Sequence, residues 1–207
     1  MVRCMCAVSL AVELEKEEFI ELVVAALGLS LVYAYPSLYS FPIALVTIAA
    51  AFVPHELAHR YLAEHLGFRS RFRLSTPSLV SSIMICLLSG GLVKVGTAGA
   101  VEVQGFASED DMGEIALAGP LTNMLIAALS ALFSPASPLF AIIAIVSAGM
   151  GVFNLLPVPP LDGHYVARWN RQNWALVFGL SLLVSALVSW SVVQDALGWL
   201  LWSWRGF

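Results

Sequence analysis

From Phe41 to Pro54 the chain carries no charged side chain, and the next five residues are His55-Glu56-Leu57-Ala58-His59. An apolar run of that kind belongs in a protein core or in a lipid bilayer, and composition decides between them. Hydrophobic residues make up 59% of the 207 and charged residues 12%, with a mean hydropathy of +0.86. Soluble domains carry about 25% charged residues, so the chain reads as an integral membrane protein. A span needs about 20 mainly apolar residues. That leaves room for five or six spans and for no sizeable soluble domain. The formal charge of −4 argues against a nucleic-acid partner.

The expected fold is an all-α polytopic membrane protein of about five to six transmembrane helices, with a short membrane-associated β element and a re-entrant segment. Residues 1–18 form an N-terminal cytoplasmic lead, 19–194 the transmembrane core, and 195–207 a tail whose Trp199, Trp202 and Trp204 suit a membrane–water interface. Apolar stretches mark spans over residues 19–35, 41–66, 112–133, 139–156 and 174–193. Alternation over Arg71-Phe72-Arg73-Leu74 and over residues 99–105 predicts two short strands. Between them, Leu79 to Val93 is apolar but short for a span, and Ser89-Gly90-Gly91 interrupts it. That pattern suits a segment that enters the membrane and turns back. The first apolar stretch is too short for a cleaved signal peptide, and the acidic run Glu13 to Glu21 follows it. Cys4, Cys6 and Cys86 make no disulfide framework. The Cys4–Cys6 spacing is not that of a usual zinc site, so both read as ordinary thiols.

His55 and His59 lie four apart, on one face of a helix. Two imidazoles at that spacing can reach one zinc ion, and Glu56 between them can take a proton from water at the metal. Ionisable groups within a span cost about 2.5–3.5 kcal/mol each on insertion scales and mark function. Three of them in five residues need a partner, and a cation is the simplest one. Pro54 either kinks the helix here or begins a new helical segment. A catalytic zinc keeps three protein ligands and one open position. Asp162, behind Pro157, Pro159 and Pro160, is the leading candidate for the third ligand, with His164 as its competitor.

Three elements carry a family resemblance: His55-Glu56-Leu57-Ala58-His59; Asn154-Leu155-Leu156-Pro157, which runs on to Leu161-Asp162-Gly163; and Gly119-Pro120-Leu121-Thr122-Asn123. With these, roughly residues 41–165 resemble the site-2 protease family of intramembrane metalloproteases. The resemblance implies that one Zn2+ is held by His55, His59 and Asp162, with the aspartate preferred over His164, and that Glu56 activates water. It implies that Asn154 binds substrate or stabilises the oxyanion; read alone, Asn154 could equally be a helix-end amide satisfying freed carbonyls. Asn123 is expected to hydrogen-bond between helices, and His65 to be solvated. Many members of that family carry a PDZ or other regulatory domain. None fits in this length, so the chain is expected to be a minimal core.

Both halves of the zinc site must reach the same depth from the same side. With residues 79–93 re-entrant or lying in the membrane surface, two spans separate them and the chain returns to the side it left. This layout places Arg3, Lys16, Arg60, Arg69, Arg71, Arg73, Lys94, Arg168 and Arg171 toward the cytoplasm and only Arg205 outside, as the positive-inside rule requires. The expected location is the cell membrane, with the site opening toward the cytoplasm. The expected activity is Glu-assisted hydrolysis, by water at the zinc, of a peptide bond in or near a transmembrane segment of a substrate protein, as in regulated intramembrane proteolysis. Two other readings stay open: a membrane-anchored peptidase acting on soluble peptides, and a membrane zinc-binding or transport protein.

Overall fold

A computed structural model describes residues 14–94 and 96–204. Arg3, Cys4, Cys6, Arg205 and most of the expected lead lie outside the described residues. The chain is mostly helical. Helix α1 (Lys16–Ala34) opens on Glu17 and Glu18, acids that favour the positive end of a helix dipole. Helix α2 (Phe41–His65) has Pro42 in its first turn, where the missing N–H removes no bond. Pro54 lies inside α2 and does not end it. Helix α3 spans Thr76–Leu88. Helix α4 (Glu109–Leu132) starts from a reciprocal cap between Ser108 and Asp111. Helix α5 (Pro138–Asn154) stops three residues short of Pro157. A short helix not anticipated from the sequence, α6 (Asp162–Trp169), precedes α7 (Arg171–Trp204). The Trp-rich tail is thus, through Trp204, the last part of a long helix.

Among the described residues, three helical stretches are long and apolar enough to cross a membrane: Leu38–His65, Glu109–Leu132 and Arg171–Asp195. Helices α3 and α5 are apolar but shorter, and α1 carries Lys16, Glu17, Glu18 and Glu21 in its first two turns. Among the described residues, packing joins the helices in two clusters. Leu22, Leu29, Ile48, Phe52, Phe72 and Met150 meet where α1, α2, α5 and the sheet converge. Ala127, Ala144, Ala148 and Val188 join α4, α5 and α7. The small residues of the second cluster allow the close backbone approach that favours helix association in lipid.

Strands β1 (Arg69–Leu74) and β2 (Gly99–Gln104) pair antiparallel, with Leu74 opposite Gly99. Residues 75–98 therefore leave and re-enter the sheet at one end. Within this excursion α3 lies along α1. Leu79 packs over Gly28, where a β-carbon would come within 2.8 Å of its methyl groups. Further on, Cys86 Sγ lies 3.4 Å from the Val32 carbonyl, and Lys94 Nζ donates to the Tyr33 carbonyl at 2.8 Å. The sheet sits at the other end of α1, where Phe72 N donates to Glu18 (2.9 Å) and Leu74 N to Glu21 (2.8 Å). Fifteen residues of helix, about 22 Å, separate Glu18 from Tyr33. Lys94 therefore lies at the opposite end of α1 from Arg60, Arg71 and Arg73, which corrects its expected grouping with them. Asn123 also differs from expectation. Both of its amide atoms are buried without a partner among the described residues.

Candidate metal centre

Helix α2 carries His55, Glu56 and His59, all buried. The spacing of four turns both imidazoles to one side. Their Nε2 atoms lie 3.0 Å apart, and each is 3.3 Å from Asp162 Oδ2. The three donor atoms form a compact group, all within 4.8 Å of one another. His59 Nδ1 donates to the Ile115 carbonyl at 2.7 Å, which fixes the tautomer and leaves Nε2 with its lone pair facing the group.

Asp162 reaches this point because the chain between α5 and α6 folds sharply. Pro159 and Pro160 offer no N–H to continue α5. Gly163 then packs so tightly beneath the end of α5 that a β-carbon would overlap the Leu155 and Leu156 carbonyls. On the opposite side α4 closes the group with Gly119, where a β-carbon would lie 2.7 Å from His55 Nε2 and nearer still to His59 Nε2. His164 is not among the three converging donors.

These residues fit a metal ion. Tetrahedral ligands at about 2.0–2.1 Å from zinc stand about 3.3 Å from each other, close to the separations found. Asp162 Oδ2 is buried and has no hydrogen-bond partner among the described residues, and an acceptor in that state costs about 1–3 kcal/mol unless something positive satisfies it. A carboxyl group binds a metal ion in its deprotonated form and imidazole in its neutral form, so this donor set brings one negative charge to a divalent cation.

Glu56 and Asn154 line the same cavity of about 160 Å³ as the three donors. Asn154 is buried at the end of α5. Phe52, Met112, Ala116, Val101 and Met150 supply apolar walls, and Thr97, Gly99 and Ala100 bring the returning chain to the rim. Sequence reasoning left out Gly119 as a neighbour of the histidines, although it had singled out the element containing it. Tyr165, three residues after Asp162 on α6, also reaches the cavity, and helical spacing from Asp162 was the available signal. The Ile115 contact is made by a backbone carbonyl and has no sequence signal.

A site of this kind on apolar helices defines a class, and the chain belongs to a family of zinc metalloproteases. It is 35% identical over 181 residues to a Methanocaldococcus jannaschii protein named "Putative zinc metalloprotease", covering 81% of this chain and 92% of that one. A Neisseria meningitidis serogroup A protein of the same description is 44% identical over 80 residues, a third of this chain and 18% of that longer protein. No family model matches the chain, and no solved structure does.

Proposed function

We propose that the protein is an intramembrane zinc endopeptidase of the site-2 protease type, hydrolysing a peptide bond in or near a transmembrane segment of another protein. The observation that carries this reading is the convergence of His55, His59 and Asp162, with Glu56 beside them, in one buried cavity on α2, a helix apolar enough to cross a membrane. One Zn2+ held there would lower the pKa of water toward about 7 and polarise the scissile carbonyl. Glu56 takes the proton from the attacking water and passes it to the leaving amine. Asn154, at the cavity wall, donates its amide to the oxygen on which charge develops. The apolar walls exclude bulk water, which strengthens both interactions.

A helical substrate hides its carbonyls in hydrogen bonds and must unwind before cleavage. Strand β2 offers an acceptor for the unwound chain. Phe72 N and Leu74 N point to α1, so the alternate residues Arg69, Arg71 and Arg73 face β2 and bond Gln104, Glu102 and Ala100. Gly99, Val101 and Val103 then turn their backbone groups to the free edge, and Gly99 and Val101 line the cavity. An extended peptide added there would lie across Glu56.

The excursion of residues 75–98 begins and ends at one end of the sheet, which supports a re-entrant segment. Spans over α1, α2, α4, α5 and α7 then place both halves of the site on one side. The arginines of α2 and β1 favour the cytoplasmic side. The test is metal content and cleavage by the purified protein, with a model transmembrane peptide and a casein-like soluble protein as substrates. Zinc near one per chain, with cleavage of the membrane peptide, is expected. Cleavage of casein alone would make this a surface peptidase, and zinc flux into liposomes without proteolysis would make it a transporter.

A further inference from the structure

We infer that Trp174, on the first turn of α7, is a positioning residue of the metal centre. In a continuing helix the N–H of residue 159 would bond the carbonyl of Leu155. Pro159 has none, so that carbonyl is orphaned at the point where the chain turns from Asn154 toward Asp162. The indole of Trp174 fills the vacant role, with Nε1–H donating to Leu155 O at 2.8 Å. Leu155 is fully buried, so solvent cannot substitute.

Trp174 is itself held firmly. Asn170 Oδ1 accepts from Gln172 N and Asn173 N, both at 2.9 Å, capping α7. The indole also stacks on Phe178, with ring centroids 5.5 Å apart. The same Leu155 carbonyl backs onto Gly163, the neighbour of Asp162. The hydrogen bond thus ties the end of α5, which carries Asn154, to α7, and the carbonyl it holds packs directly against the start of α6, which carries Asp162. Loss of a group that orients metal ligands without touching the metal typically lowers metal affinity or activity by about 10–100-fold.

This rests on His55, His59 and Asp162 holding the zinc. The test replaces Trp174 with benzothienylalanine, which keeps the ring volume and lacks the N–H. W174F, which keeps an aromatic partner for Phe178, gives an independent variant. Zinc release to a chelator is expected to quicken about tenfold. Turnover should fall by a similar factor with KM held within about twofold, because a binding surface is unchanged while the catalytic geometry is not. The visible absorption of the Co2+ form should shift, a change that loss of stability alone does not produce. D162N runs in parallel. If D162N loses metal while both Trp174 variants keep wild-type release, turnover and spectrum, the role of Trp174 is overturned alone. If D162N retains metal normally, the centre itself is wrong and the role of Trp174 falls with it.

Discussion

Glu56 shares its helical turn with both imidazoles yet supplies none of the three converging donor atoms. That separation makes its role testable. E56Q should retain zinc and lose turnover by at least about 10²–10⁴-fold, the span that general base catalysis contributes. Metal analysis beside a peptide-cleavage assay checks both halves. D162N should weaken both, because the amide presents a neutral donor where an anion sits. Gly119 belongs to the same scale. A β-carbon there would press on both Nε2 atoms, so G119A should lose zinc retention by about tenfold or more while the helices still form. Zinc binding measured by competition with a chelator decides it; unchanged affinity would show that α4 can retreat from the histidines.

Between elements, Glu18 is a buried tie outside the centre. Its carboxylate, only 1% exposed, accepts from Arg60 Nη1 at 2.5 Å and from Phe72 N at 2.9 Å. One side chain thus joins α1 to the helix bearing the histidines and to the sheet. Arg60 keeps a second carboxylate, its Nε donating to Glu64 at 2.9 Å, so removing Glu18 costs the charge-assisted hydrogen bonds it accepts, about 1.5–3 kcal/mol. E18A should therefore lower unfolding stability in detergent by roughly that amount. E18Q, which keeps an acceptor for Phe72 N, should lose less. Equal stability of E18A and the parent protein would mean that α1 is held by its apolar contacts alone. Element boundaries followed from local sequence: the apolar runs, the strand alternation and the prolines each act over a few residues. The helix α6 escaped because eight residues give too little periodicity to read.

Across the whole molecule, the layout proposed here puts the Tyr35–Ser40 and 134–137 turns on one side of the membrane and the metal centre nearer the other. Single cysteines introduced at positions 37 and 135 should react with an impermeant reagent from outside intact cells. Labelling of both only after permeabilisation would reverse the orientation. Substrate unwinding is tested on the same scale. Peptides with helix-breaking residues near the cleavage point should be cut faster than stable helices, and equal rates would remove any need for the β2 edge.

Sequence alone determined what depends on short spacing. A four-residue interval puts His55 and His59 on one helical face whatever surrounds them, and an unbroken apolar run commits α2 to a nonpolar environment. Asp162 was legible only as a candidate, since nothing within 100 residues of chain dictates which carboxylate closes on the pair. Tertiary structure decided that, along with Gly119 against the imidazoles, the Ile115 carbonyl on His59, and the indole standing in for the N–H that Pro159 lacks. It also moved Lys94 to the far end of α1, because the reach of a re-entrant excursion is set by what it packs against and not by its own composition. Contacts between distant segments are chosen by packing and by unsatisfied backbone groups, and neither is written in local sequence.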